Sequence, residues 1–272
     1  MTHNADPPFG SAKLLIARGK EHTDEFIARA GEFFKTGPCQ AVFDKDSEPG
    51  YKLLKVKLMT PLPGMLRTVL SDAVNNLRHA LDHAANDAAV QLRGGKPDTY
   101  FPMGKTAKDY ADIYNGRRYR SFPADLRPYV DGLQPYIGGN DLLYALGRIS
   151  SPNKHQVVLG AGVETSSIKL NAVSNVSGGY LSLAAPQWNR AKNEMVLAKV
   201  GLDTDFKYNY EIPFTVTIHN PATSRFEAAV GLLDKLAGVA ESVVLGLEAE
   251  TARLLRAKGQ NAQATPPVAE TG

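Results

Sequence analysis

Apolar residues recur every three or four positions over three long stretches of the chain and every second position over several short ones. The two periods predict amphipathic helices and half-buried strands respectively. The first helical stretch runs from about 12 to 35. Leu15, Ile16, Phe26, Ile27, Phe33 and Phe34 supply its apolar surface, and Gly37-Pro38 ends it. Ahead of it, residues 1–10 read as a disordered arm, because two prolines and a glycine interrupt any period before Ser11, a residue able to cap the helix. Gln40 to Phe43 and Tyr51 to Met59 flank an Asp-Lys-Asp-Ser-Glu-Pro-Gly turn, and the alternation of Leu54, Val56 and Leu58 predicts a β-hairpin.

The clearest period spans about 64 to 92. Leu66, Leu70, Ala73, Val74, Leu77, Leu81, Ala84 and Ala88 fall in one arc when successive residues turn by roughly 100°. That arc must face a core, and Gly94-Gly95 closes the helix. Lys96 to Pro135 reads as a long ordered excursion with short helices, followed by another helix from Asn140 to Ser150. From about 156 to 219 the period becomes short and alternating, which predicts antiparallel strands. A last helix, capped within 220–224, carries Phe226, Val230, Leu233, Leu236, Val243, Val244, Leu247 and Leu254 to about 257. Residues 258–272 form a polar, disordered tail. The expected architecture is α+β: a long-helix bundle core with an N-terminal β-hairpin and a C-terminal antiparallel β-sheet region, in one domain over 11–257.

Composition narrows the classes of function. A hydrophobic content of 43% in 272 residues is enough for a buried core. The net charge is only +3, from 31 basic against 28 acidic residues, so any nucleic-acid contact must be local. Cys39 is the only cysteine, which excludes an intrachain disulfide and a thiolate cluster and points to the cytoplasm. Neither a signal peptide nor a run of apolar residues long enough to span a membrane is evident, so no membrane partner is expected.

On the long helix, Asp72, Asn76, His79, His83 and Asp87 follow one another at steps of four, three, four and four, and so form a polar stripe, with Asp82 beside it. Such a stripe is either a solvated face or a site. Residues 78–83 read Arg-His-Ala-Leu-Asp-His. This resembles the motif of the HEPN superfamily: Arg, then a polar residue, then intervening positions and His, on a helix of a helical bundle. Many members are metal-independent endoribonucleases of toxin–antitoxin or phage-defence systems, and many act as dimers in which two motifs build one site. The resemblance implies that Arg78 binds the scissile phosphate, that His83 is general acid or base, and that His79 fills the polar position. RNA would be the substrate, a homodimer the active form, and no cofactor is expected. The run Asn76 to His83, Asn-Leu-Arg-His-Ala-Leu-Asp-His, together with a later Asn153-Lys154-His155 is also similar to bacterial proteins to which no function attaches.

The chemistry suits phosphodiesters, since a guanidinium binds phosphate oxygens and an imidazole transfers protons near neutral pH. Geometry sets a condition, because positions five apart lie roughly 140° apart around a helix. Lys154 and His155, at a helix–strand junction, are candidates to complete a phosphate pocket. Arg117, Arg118 and Arg120, interleaved with Tyr114 and Tyr119, form a basic-aromatic patch suited to RNA, and equally read as surface arginines. Two further readings compete. His79 and His83 at i and i+4 can share a divalent metal ion, although the glutamate of a zinc-protease motif is absent. The stripe can also be the contact face of a non-catalytic binding or interaction protein. No phosphate loop, dinucleotide fingerprint or nucleophile elbow occurs.

Overall fold

The structure, a computed structural model, describes residues 7–95, 97, 99–150, 160–165, 169–177, 179–185 and 187–264. Its elements in chain order begin with helix α1 (Gly10–Lys35), strands β1 (Cys39–Lys45) and β2 (Tyr51–Leu58), and helix α2 (Gly64–Arg93). Short helices α3 (Ala107–Ile113) and α4 (Arg127–Leu133) lead to α5 (Asp141–Ser150). Strands β3 (Ala161–Glu164), β4 (Lys169–Ser177), β5 (Leu181–Leu183), β6 (Trp188–Asn189), β7 (Glu194–Gly201), β8 (Asp205–Glu211), β9 (Thr215–Asn220) and β10 (Arg225–Ala228) precede helix α6 (Ala229–Ala264). The fold is α+β, as the two periods predict.

The apolar arc of α2 is the centre of the main core: all eight of its residues are buried, against α1 on one side and α6 on another. The contacts give the directions. Ser11 meets His83 while Gly19 meets Leu77, so α1 runs antiparallel to α2. Lys13 pairs with Glu248 and Lys20 with Glu241, so α6 runs antiparallel to α1 as well. Gly19 marks the closest approach. A Cβ there would lie 2.8 Å from Leu77 Cδ2 and 3.3 Å from the Ala73 carbonyl oxygen. Leu77 is fully buried and has no room to yield. Gly19→Val is therefore expected to destabilise the protein by about 1–3 kcal/mol, although glycine is the poorer helix former. A urea melt checks this, and an unchanged midpoint contradicts the close packing.

Several boundaries move. Phe9 is buried at 1% exposure, takes a left-handed conformation (φ 62°), and is followed directly by α1, so the expected arm over residues 1–10 is ordered at its inner end. Its ring supplies the anchor that the pattern of prolines concealed. Ile27 is exposed and does not belong to the buried face of α1. Phe226 sits on β10 and not in the last helix; the segment 220–224, expected to cap that helix, is the turn between β9 and β10. α6 continues to Ala264, past its expected end near 257.

The hairpin shares a sheet with C-terminal strands. β2 pairs antiparallel with β7, giving a sheet of order β1-β2-β7-β5 with β6 also on β7. The sheet has its own apolar cluster of Leu54, Val56, Met195, Leu197, Ala198 and Val200. β10-β9-β3 form a second sheet, and β4 pairs with β8. Phe214 packs against both the sheet cluster and the helical core, and stacks on Phe34 of α1.

On the opposite face of the first sheet, Lys55 Nζ bridges Asp44 at 3.0 Å and Glu194 at 2.9 Å, and Lys57 Nζ lies 2.7 Å from Asp44. Burial raises the Glu194 pKa, but the hydrogen-bonded Lys55 and nearby Lys57 outweigh it and hold the carboxyl below its ordinary value. Lys57, then Lys55, do the same for Asp44. A carboxylate depressed in the folded state stabilises above its unfolded pKa and loses that contribution as the pH falls through its folded one. The unfolding midpoint should therefore drop on acidification below the ordinary glutamate value of 4.5. The slope should flatten in Lys55→Met; an equal slope in both proteins removes the network as its cause.

Candidate functional site

The polar stripe of α2 divides in the structure. Its first part does not line the groove formed by the second: Asp72 is exposed, and Asn76 Nδ2 donates back to the Asp72 carbonyl oxygen at 2.8 Å. Its second part lines a groove of about 470 Å³, with His79, Asp82, His83, Asn86 and Asp87 on the α2 wall and Thr99 and Tyr100 on the other. The opposite wall is held by one carboxylate. Asp82 Oδ1 accepts from the Phe101 backbone N–H at 2.9 Å and from Arg78 Nη1 at 2.5 Å, while Arg78 Nη2 donates to the Phe101 carbonyl at 3.3 Å. With Phe101 buried completely, this clamp fixes the neighbouring Thr99-Tyr100 segment across from the two histidines.

The motif residues thus part as the helix geometry requires. Arg78 does not line the groove; its side chain, 12% exposed, stands behind Asp82, which is equally enclosed. His83 faces the other way, toward α1, where Nδ1 lies 3.1 Å from Ser11 Oγ. Asp87, one turn further on, accepts from the Phe9 backbone N–H at 2.8 Å. Both groove carboxylates are therefore engaged by main-chain donors, and Asp82 by a guanidinium as well. What they leave to the cavity is a pair of exposed imidazoles one helical turn apart.

Of the other expected site residues, Lys154 and His155 lie outside the described residues. The turn at 117–119 follows α3, and the Arg120 carbonyl accepts from Arg93 Nη1 at the C-terminal end of α2. Arg93 is ten residues beyond His83, so the basic-aromatic patch of Arg117, Arg118 and Arg120 starts roughly 15 Å along the helix axis from the histidines. Tyr114 is committed elsewhere: with Tyr110 it bonds to Asp131, and Arg127 covers its ring at 4.5 Å. Burial pushes the Tyr114 hydroxyl up to about 12. Burial also pushes the Cys39 thiol up to about 11, which keeps it out of the thiolate form that a nucleophile needs.

Three groove residues are absent from the expected site, and two of them escape the sequence pattern altogether. Asn86 continues the stripe at a step of three from His83 and was legible there. Thr99 and Tyr100 were not, because only the Asp82 clamp brings that segment to α2. As to metal, among the described residues no three His, Cys, Asp or Glu side chains are grouped to hold an ion. Also among the described residues, no helix is long and apolar enough to cross a membrane. Comparison of the chain with protein-family models, with curated proteins and with solved structures gave no match.

Proposed function

We propose that the groove is the active site of a metal-independent endoribonuclease of HEPN-like type. The observation that carries this reading is the His79–His83 pair, presented together on one wall while both carboxylates beside it are held by backbone N–H groups. Two imidazoles suffice for RNA transesterification. His83 takes the proton of the ribose 2′-hydroxyl, whose oxygen attacks phosphorus; the bond from phosphorus to the 5′-oxygen breaks, and protonated His79 delivers its proton to that oxygen. The products are a 2′,3′-cyclic phosphate and a free 5′-hydroxyl. Tyr100, 36% exposed on the facing wall, offers a ring on which a base can stack.

In this reading Arg78 acts by shaping the groove through Asp82 and Phe101, not by touching the phosphate in the same copy. Among the described residues the groove lining holds no lysine or arginine; in this reading a second copy adds cationic help, as in the dimeric sites that the motif implies. A toxin–antitoxin or phage-defence setting is the biological context that goes with it. The test is incubation of the protein with mixed RNA in EDTA, over a range of protein concentrations, beside a folded His83→Ala variant. Cleavage by the wild type alone, rising steeply with concentration, is expected. Equal cleavage by both proteins removes His83 from the chemistry, and cleavage abolished by EDTA replaces this reading with the metal one.

One observation favours a second reading. The residue on which the motif turns, Arg78, is engaged with Asp82 and the Phe101 carbonyl and not with the groove, which suits a groove that binds RNA or another ligand without cutting it. RNA retained on the protein but recovered intact would be its result.

A further inference from the structure

We infer that Ser11 is a positioning residue that fixes the tautomer of His83. The contact is structural, whereas the direction of the bond and its effect on rate rest on the ribonuclease reading. Ser11 is well placed for such a role. It lies in the first turn of α1, and that turn is pinned at three points: Phe9 is buried and its N–H bonds to Asp87, Gly10 N–H donates to the Pro7 carbonyl at 2.7 Å, and Lys13 pairs with Glu248 of α6 at 2.8 Å. The half-buried Ser11 hydroxyl is thus delivered to His83 Nδ1 by the backbone and not by chance rotation of a loose end.

The direction of the bond follows from what a proton-transferring histidine has to do. A neutral imidazole has one donor and one acceptor nitrogen, whereas an imidazolium donates from both and accepts at neither. A hydroxyl that donated to Nδ1 would have to turn and reverse its role each time that nitrogen took up a proton. Only an accepting Ser11 Oγ keeps the bond unchanged through the whole cycle. Nδ1 then retains its hydrogen throughout, and Nε2 is the atom that collects and returns the proton. The ring is also held against rotation, so that Nε2 stays at one place in the groove. A solvated histidine prefers the opposite tautomer, with the hydrogen on Nε2, and in that form it offers the groove a donor where the reaction needs a base.

The first measurement uses the full chain without RNA: NMR of the His83 ring nitrogens in the wild type, Ser11→Ala and Ser11→Thr. The wild type should carry its hydrogen on Nδ1, Ser11→Ala should move it to Nε2, and Ser11→Thr, which keeps a hydroxyl, should restore it. Hydrogen on Nε2 in the wild type, or a tautomer indifferent to Ser11→Ala, overturns the inference. The second measurement is steady-state RNA cleavage, in which Ser11→Ala should lower kcat about tenfold at unchanged KM, with recovery in Ser11→Thr. A shifted tautomer with kcat intact would overturn the positioning role. A tautomer that follows Ser11 in a protein that cleaves no RNA would uphold the assignment of the bond and reject the ribonuclease reading alone.

Discussion

Asp82→Ala is expected to lower stability by about 3–5 kcal/mol, the magnitude typical of breaking an enclosed ion pair from one side. The substitution leaves the Arg78 guanidinium, 12% exposed, without its carboxylate, and the Phe101 N–H without its acceptor. Both groups stay where water compensates them poorly, so the loss is that of stranded polar groups and not of one surface contact. Arg78→Met should also be destabilising, while pairing it with Asp82→Leu should recover part of the difference, because two apolar side chains remove the mutual need. Urea midpoints of the four proteins check this. If Asp82→Ala melts as the wild type does, the clamp does not hold the groove wall.

His83→Ala is expected to slow RNA cleavage about 100- to 10,000-fold, the range removed with a general acid or base. His79→Ala should fall in the same range, and the double variant should be scarcely worse than either single one, since two groups that pass one proton each through a single transition state act as a unit. The melting curves of these variants should remain near the wild type, because both imidazoles are exposed. That contrast separates the histidines from Arg78, whose substitution should reduce activity and stability together. A His83→Ala protein that cleaves normally but melts early would assign the residue to packing against α1 instead.

The helices were legible because their information is local. The arc from Leu66 to Ala88 and the stop at Gly94, with φ 72°, can be read without knowing what covers them. The polar stripe was equally plain, and three of its five residues do line a cavity. What escaped was set by contacts distant in sequence. Phe9 follows two prolines, and nothing in its neighbours says that Asp87 will accept its N–H. Thr99 and Tyr100 became groove residues only through the reach of Asp82 to Phe101. The six-residue motif gave two reactive side chains but not their orientation: a turn of roughly 140° sends Arg78 and His83 to different partners, however close they stand in the chain.

The sheet imposes an order of events on synthesis. β2 cannot complete its ladder until β7 exists, and the residues of the Lys55–Glu194 contact that joins them are 139 apart. During translation that interval lasts on the order of ten seconds. Throughout it the apolar face of Leu54 and Val56 lacks the strand that will bury it. Lys55 and Lys57 alternate along the same strand with that face, and on a waiting edge their charges repel other nascent chains. The lysines that later hold Asp44 and Glu194 thus serve first as guards against aggregation.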